Sequence, residues 1–407
     1  MKNPDSEEGQ RSQVLIVDDD QGVLDGLRRM LRRQRKQWDF TFLASPLEAA
    51  RAVETTPFDV IITDMRMPDM NGVELLEKVR ECRPSCVRII LSGHGELSAI
   101  MKSAGPSHQF LSKPCDGEKI ITAIERARRM REALTSSQLL ETLGQIETLP
   151  SLPDIYTELV EALRAEAPLR EIGEIIARDI GLSVKMLQLV NSSYFGLAQE
   201  ITDPGRAVMI LGGDTVSSLV LGTKLFEELP PIRFKGCSPD QVLNHCSAVA
   251  GAARKLCEVE GVSDVFRSQA VMAAFLHDLG LVTLAAYAPD LLEQTLELQH
   301  KEACPLAEAE LSVMGATHGQ VGGYLTGLWS FPDPVVEAVM YHECPSRCEP
   351  KELSPLTLVH VAETLTGGLE AFGGEGVTLD HAHLEALGLL EHLPLWSEAL
   401  EAAEESE

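Results

Sequence analysis

Side chains that could handle a phosphoryl group recur through the first third of the sequence. Asp18, Asp19 and Asp20 follow one short apolar segment, and Asp64 follows another. Several carboxylates in one crevice repel each other unless a cation neutralises them, and Mg²⁺ suits a few carboxylates with water and a phosphoryl oxygen. One aspartate would then be free to attack a phosphoryl donor as a nucleophile.

Each of these positions comes directly after a segment that is typical of a buried strand. The segments are VLIV (14–17), FTFL (40–43), DVIIT (59–63), VRIIL (87–91) and QFLS (109–112). They alternate with amphipathic stretches, which predicts an α/β domain with a doubly wound, five-stranded parallel sheet. In such a sheet the chemistry collects at the carboxyl ends of the strands. There Ser92 could hydrogen-bond a phosphoryl group, and Lys113 could neutralise its charge.

The same residues also have purely structural interpretations. An aspartate after a strand often caps the next helix, Ser92 suits a turn, and Lys113 suits a solvated surface. Their placement at the ends of strands along one sheet edge favours a common site.

The motifs VLIVDDD, DVIITDMRMPDMNG, IILSGHG and FLSKP together resemble the receiver domain of two-component response regulators. The resemblance covers 13–131 and implies a flavodoxin-like fold in which a sensor histidine kinase phosphorylates Asp64. It also implies a Mg²⁺ site of Asp18, Asp19, Asp64 and the Arg66 backbone carbonyl, phosphoryl contacts from Ser92 and Lys113, and a rotamer change of Phe110 on activation. As a plain core aromatic, Phe110 would need no such role.

Residues 118–146 carry apolar side chains at helical spacing, which predicts an amphipathic helix leaving the receiver domain, with a break near 135–137. The stripe could pack on its own domain or pair with a second copy, and we expect a homodimer contact. We place the flexible tail at 1–12 and the helical linker at 132–148.

The remaining chain has almost wholly helical periodicity, so we expect an all-α domain over 149–345 and a helical extension with an acidic tail over 346–407. Within it, His277 and Asp278 interrupt the apolar run FLHDLGLVTLA. The residues that could converge with this pair on packed helices are His245, His318, His342 and Glu363. Such a set could bind iron, manganese or zinc and activate water, or each histidine could simply find a hydrogen-bond partner in the core.

LPSLPD, ARDIGLSVKMLQLVNSSYFG, HCSAVAGAA and AAFLHDLG resemble the HDOD domain, a helical output module related to the HD superfamily of metal phosphohydrolases. HDOD domains are usually regarded as non-catalytic. Here Tyr341 replaces one histidine of the His-His pair in the catalytic HD-GYP pattern, Leu281 replaces a lysine, and Glu363 replaces the terminal aspartate. The resemblance implies a degenerate constellation without metal or catalytic residues, in a module that engages a downstream protein. The alternative is a receiver-gated HD-type phosphohydrolase or phosphodiesterase acting on linear or cyclic nucleotides.

The net charge of −27 lies entirely after residue 132, because residues 1–132 contain 21 Lys+Arg and 21 Asp+Glu. A negative field repels phosphate backbones and anionic lipids, so we expect neither nucleic-acid nor membrane binding. No uninterrupted apolar stretch reaches the roughly 18 residues that cross a bilayer, and the N-terminus lacks the apolar core of a secretion signal. We therefore expect a cytoplasmic protein.

Overall fold

The computed structural model describes residues 11–92, 107–113, 117–146, 153–191, 197, 200–222, 239–348, 352–367 and 377–404. The chain divides into two compact units. The first contains Met1–Glu132 and Leu140–Glu147, and the second contains Ala133–Leu139 and most of the chain after Thr148. Residues 1–10 of the predicted tail lie outside the described residues, and Ser12 already begins a strand.

A five-stranded parallel sheet in the order β2-β1-β3-β4-β5 forms the first unit. Its strands are β1 (Ser12–Val17), β2 (Trp38–Leu43), β3 (Val60–Asp64), β4 (Val87–Ser92) and β5 (Gln109–Ser112). The helices within its described residues are α1 (Gln21–Met30), α2 (Pro46–Thr55), α3 (Gly72–Cys82) and α4 (Gly117–Ala133). The predicted doubly wound sheet is confirmed, and it has the strand order of the flavodoxin-like fold.

The register of the sheet brings the ends of its strands to one edge. Val17 pairs with Thr63, and Asp64 pairs with Leu91. β1, β3 and β4 are apolar and almost wholly buried, as expected for parallel strands covered by helices on both faces. The polar residues that follow these strands therefore emerge together at the carboxyl edge.

Two features of the loops shape that edge. The Asp20 carboxylate accepts hydrogen bonds from the backbone N–H groups of Gly22 and Val23, so Asp20 caps α1. A Cβ on Gly72 would lie 2.2 Å from the backbone oxygen of Asp64. Only glycine allows α3 to begin so close to the end of β3.

The amphipathic stretch predicted over 118–146 forms two helices, α4 and α5 (Ser137–Gly144). Residues 134–136 between them are not helical, close to the predicted break. Ile120, Ile124 and Ala127 are fully buried within a single chain. A homodimer through this helix, which stays a prediction, would need other side chains.

In the second unit the described residues form helices and turns and no strand. The helices after α5 are α6 (Pro153–Arg164), α7 (Leu169–Ile176), α8 (Ile180–Val190), α9 (Pro204–Leu211), α10 (Gly213–Gly222), α11 (Pro239–Glu260), α12 (Asp264–Leu276), α13 (Leu279–Tyr287), α14 (Pro289–Glu302), α15 (Leu306–Met314), α16 (His318–Leu328), α17 (Asp333–Tyr341), α18 (Pro355–Thr366), α19 (His381–Leu387) and α20 (Leu393–Glu404). Among the described helices, one stretch, Asp264–Tyr287, is long and apolar enough to cross a membrane, but 89% of its most apolar window is buried inside the protein. This stretch is therefore part of the core of the second unit.

The segment after residue 345 belongs to the same compact unit. α18 packs against α11, α12 and α17. Trp396 on α20 is fully buried, and its indole N–H donates to Oε1 of Glu260 at 2.8 Å. This segment therefore contributes to the core of the unit.

Gly280 allows the beginnings of α13 and α16 to touch. A Cβ at this position would lie 1.9 Å from the backbone oxygen of His318. We predict that Gly280→Ala lowers the free energy of unfolding of the second unit by at least about 1–3 kcal/mol, because the backbone must move to admit a methyl group. Thermal and chemical denaturation measure this change.

Gly251→Ala is the matched control. Gly251 lies on an exposed turn of α11 with nothing within 4 Å of an added Cβ. Alanine should stabilise this helix by about 0.5–1 kcal/mol. Equal effects of the two substitutions would contradict the proposed close approach.

Candidate functional site

A lysine joins two buried aspartates at the carboxyl edge of the sheet. Lys113 follows β5, and its ammonium group lies 2.7 Å from Oδ2 of Asp18 after β1. The same ammonium group forms an ion pair with Oδ1 of Asp64 at the end of β3. Asp18 and Asp64 are both buried, so three of the predicted residues share one pocket.

Backbone groups hold the other oxygens of the two carboxylates. The N–H of Asp20 donates to Oδ1 of Asp18 at 3.0 Å, and the N–H of Arg66 donates to Oδ2 of Asp64 at 3.1 Å. Each aspartate is therefore fixed with its remaining oxygen towards Lys113.

The other predicted residues of this pocket lie nearby on the same elements. Asp19 is exposed beside Asp18. Ser92 is buried at the end of β4, and its backbone oxygen accepts a hydrogen bond from the N–H of Lys113 at 2.7 Å. Phe110 is buried on β5, opposite Ile90. The predicted motif after Ser92 lies outside the described residues.

A second cluster lies in the helical unit, where six predicted residues converge. His277 and Asp278 occupy the junction of α12 and α13. Their partners are His245 on α11, His318 at the start of α16, His342 after α17 and Glu363 on α18. The side chains of all six are nearly or fully buried.

One half of the cluster surrounds an oxygen of Glu363. Nε2 of His277 and Nε2 of His245 each lie 3.0 Å from Oε2 of Glu363. Oδ2 of Asp278 lies 3.2 Å from the His277 nitrogen and 3.8 Å from the His245 nitrogen. His245, His277 and Glu363 therefore offer three potential ligand atoms within 4.8 Å of one another, and Asp278 adds an oxygen near both imidazole nitrogens.

The other half uses the second oxygen of the same aspartate. Oδ1 of Asp278 lies 3.4 Å from Nε2 of His318. That nitrogen lies 3.2 Å from Nε2 of His342. Asp278 is thus common to both halves.

Comparisons with known families agree with both resemblances. The model of the response regulator receiver domain matches residues 14–125, and the model of the HDOD domain matches residues 149–345. The chain carries a receiver domain followed by an HDOD domain. This pair of domains is that of a two-component response regulator. We take the HDOD domain to include α18, because this helix packs into the same unit.

Curated relatives cover parts of the chain. An uncharacterized protein of Treponema pallidum (strain Nichols) is 24% identical over 259 residues, which are 63% of this chain and 50% of that protein. The DNA-binding transcriptional regulator NtrC of Proteus hauseri is 28% identical over 157 residues, 36% of this chain and 32% of the regulator. The chain spans half or less of the length of these relatives.

Matches to solved structures cover parts of the chain. The signal receiver domain of an HD domain-containing protein from Pseudomonas fluorescens Pf-5 is 26% identical, with a TM-score of 0.29, and the match covers 30% of this chain and 98% of that one. The MmoQ response regulator from Methylococcus capsulatus is 17% identical, with a TM-score of 0.45, and the match covers 61% of this chain and 98% of that one.

The electrostatics of the receiver pocket depend on Lys113. Burial raises the pKa of Asp18, and the hydrogen bond from Lys113 opposes this shift. Burial by itself would lower the pKa of Lys113, but its contacts with Asp18 and Asp64 raise that pKa above its usual value. Lys113 therefore remains an ammonium ion that compensates two carboxylates.

The donor set in the receiver domain fits Mg²⁺ chemically, because carboxylate and carbonyl oxygens are hard ligands. Within the described residues, the groups of three or more ligand atoms that lie within 4.8 Å of one another are all in the HDOD domain. In the receiver pocket the ammonium group of Lys113 neutralises the buried carboxylates of Asp18 and Asp64.

The carboxylates of the HDOD cluster are strongly anionic. Burial would raise the pKa of Asp278, but His277 and His318 hold it well below its usual value. Glu363 behaves in the same way, since His277 and His245 outweigh burial and lower its pKa to about 2. Burial together with the neighbouring imidazoles lowers the pKa of His342 to about 3. The cluster therefore requires positive charge, from protons or from cations.

Two acidic residues of this region were missed by the sequence interpretation. Glu310 on α15 is fully buried, and its Oε1 lies 2.9 Å from Nδ1 of His318. Glu343 lies 3.9 Å from the same nitrogen, and burial raises its pKa to about 7. Glu310 and His318 lie on different helices, so no helical spacing links them; a carboxylate within a largely apolar helix was the one available signal.

The departures from the catalytic pattern do not prevent the residues from converging. Leu281 is buried in α13. Tyr341 is partly buried, and burial raises its pKa; the neighbouring groups that also act on this pKa, Cys348, Glu337 and Arg347, do not belong to the cluster. The six remaining residues meet without help from either position.

We predict that Lys113→Met destabilises the receiver domain by about 1–3 kcal/mol, because it leaves the buried Asp18 and Asp64 carboxylates without their shared counter-charge. Differential scanning calorimetry of the full chain measures the change. Lys78→Met serves as the control, since Lys78 is exposed on α3. A Lys113→Met transition as stable as that of the control would show that the bridge contributes nothing.

Proposed function

We propose that the chain is the phosphoaccepting partner of a sensor histidine kinase and that Asp64 accepts the phosphoryl group. The observation that carries this proposal is the Lys113 ammonium group between the buried carboxylates of Asp18 and Asp64. A fixed cation beside a buried carboxylate at the carboxyl edge of a parallel sheet is suited to stabilising transferred phosphoryl oxygens.

The transfer requires an oxygen of Asp64 that can attack phosphorus. Oδ2 accepts the hydrogen bond from the N–H of Arg66, whereas Oδ1 faces Lys113. We assign the attack on phosphorus to Oδ1. A P–O bond to Asp64 forms as the P–N bond of the kinase phosphohistidine breaks, and the imidazole nitrogen keeps the electron pair and takes up a proton.

The residues of the pocket then receive the new group. Phosphorylation adds about −1.5 to −2 charges and three acceptor oxygens. Lys113 would pair with these oxygens, and the Ser92 hydroxyl would donate a hydrogen bond to one of them. The contact between Lys113 and Asp18 would change as a result. Mg²⁺, held by Asp18, Asp19, Asp64 and the Arg66 carbonyl, would supply the remaining charge neutralisation. A shift of the Phe110 side chain would pass the change to the domain surface.

The HDOD domain is proposed as the output module, which binds a downstream protein in the cytoplasm. The excess negative charge after residue 132 supports a protein partner over a nucleic acid or an anionic membrane. Affinity capture with full-length chain, with and without phosphorylation, tests whether a partner responds to the state of Asp64.

Asp64→Asn should abolish phosphorylation, because an amide oxygen is a poor nucleophile and cannot form the acyl phosphate. The chain would be incubated with acetyl phosphate and Mg²⁺, and phosphate-affinity electrophoresis would measure the phosphorylated fraction. We expect a loss of more than about 100-fold.

Asp69→Asn is the matched control. Asp69 is exposed in the same loop with a φ of 69°, a conformation that asparagine adopts readily, so phosphorylation should be unchanged. Full labelling of the Asp64→Asn variant would remove Asp64 as the phosphoacceptor.

A further inference from the structure

We infer that the HDOD domain binds a pair of divalent transition-metal ions that share Asp278. The first site consists of His245, His277, Glu363 and Oδ2 of Asp278. The second site consists of His318, His342 and Oδ1 of Asp278. This inference does not depend on phosphorylation of Asp64.

The spacing of the donor atoms matches a coordination sphere. Nitrogen and oxygen ligands about 2.0–2.2 Å from one ion lie about 3.0–3.5 Å from each other at octahedral or tetrahedral angles. In the first site the His277 nitrogen lies 3.0 Å from Glu363 and 3.2 Å from Asp278, and the His245 nitrogen lies 3.0 Å from Glu363 but 3.8 Å from Asp278. In the second site the separations that involve His318 are 3.2 and 3.4 Å.

Three histidines are oriented as metal ligands usually are, with the other ring nitrogen held by an acceptor. Nδ1 of His277 lies 2.6 Å from the backbone oxygen of Ala274, and Nδ1 of His342 lies 2.9 Å from that of Val339. Nδ1 of His318 lies 2.9 Å from Glu310. A ring that carries its only proton on Nδ1 would present the Nε2 lone pair to an ion in the cluster.

These lone pairs face other acceptors. The Nε2 atoms of His318 and His342 are 3.2 Å apart, which is unfavourable unless a cation or a proton lies between them. A shared ion relieves this repulsion and that between the two nearby carboxylates.

His277 faces two carboxylate oxygens at short distance. Its ring is fully buried, and among the described residues its Nε2 has no partner in hydrogen-bond geometry. The oxygens of Asp278 and Glu363 are within 3.2 Å but lie off the direction in which a ring N–H would point. Short distances without hydrogen-bond alignment are expected of ligands that converge on a common ion.

The mixed set of imidazole nitrogens and carboxylate oxygens favours iron, manganese or zinc over magnesium or calcium. This conclusion departs from the expectation that the HDOD domain binds no metal, which rested on Tyr341 and Leu281. Those substitutions remove possible additional contacts, but six donor residues still meet in one buried cluster.

Metal content tests the inference directly. Full-length chain would be stripped with a chelator, incubated with Mn²⁺ in the presence of excess Mg²⁺ to occupy the receiver domain, desalted and measured by plasma mass spectrometry. Relative to wild type, we expect Asp278→Ala to lose two Mn²⁺ per chain, because both sites need this residue. His342→Gln should lose one. His300→Gln, which changes an exposed histidine on α14, should lose none.

A second readout covers the case in which Asp278→Ala does not fold. Asp278→Asn keeps one oxygen but cannot bridge two ions, so the magnetic coupling between paired Mn²⁺ ions in the electron paramagnetic resonance spectrum of the wild type should disappear. Far-ultraviolet circular dichroism monitors folding. If folded wild type retains no more Mn²⁺ than Asp278→Ala, the inference fails. The Asp64→Asn variant should keep the HDOD ions, so failure of the phosphorylation proposal would be distinguishable.

Glu310 is assigned as a positioning residue for His318. Glu310→Gln removes the carboxylate that holds Nδ1 but leaves every ligand in place, so the second Mn²⁺ should bind about 10–100-fold more weakly while the first is unaffected. Calorimetric titration separates the two events. Equal weakening of both events would indicate a general structural effect and contradict the assignment.

Discussion

The sites of both domains depend on one constraint: their buried carboxylates need positive charge from neighbouring groups. In the receiver domain, Lys113 lies between Asp18 and Asp64. In the HDOD domain, Asp278 and Glu363 lie among imidazoles. Removing an ion from water is costly, so an unpaired carboxylate in either place would be neutralised or would destabilise the fold. When a new charged group enters either site, the carboxylates and the cationic groups beside them can therefore form new ion pairs.

The receiver pocket could be predicted from the sequence because its geometry follows from the strand pattern. Parallel strands end at the same edge, so residues that follow them must be neighbours. The strand pattern does not predict which side chains contact each other within the pocket. Asp20, next to two functional candidates, is a helix cap, and Lys113 contacts both buried aspartates. Such choices depend on side-chain rotamers, which are not encoded by hydrophobic periodicity.

The HDOD cluster was predictable only in part. The resemblance identified its six residues, but helical periodicity does not reveal which helices pack together. Glu310 was missed because it acts through His318, across a turn between two helices. Glu363 lies beyond the predicted end of the domain at residue 345, yet α18 carries it into the cluster. The match to the HDOD model ends at residue 345 and so leaves out Glu363, although Glu363 contacts His245 and His277.

The most direct test of the account is chemical mapping of the phosphorylated residue. Borohydride reduces an aspartyl phosphate to homoserine, which peptide mass spectrometry locates. After treatment of the full chain with acetyl phosphate and Mg²⁺, we expect homoserine at position 64 alone. Homoserine at Asp18 or Asp19 instead, or stoichiometric phosphorylation that yields no homoserine, would contradict it.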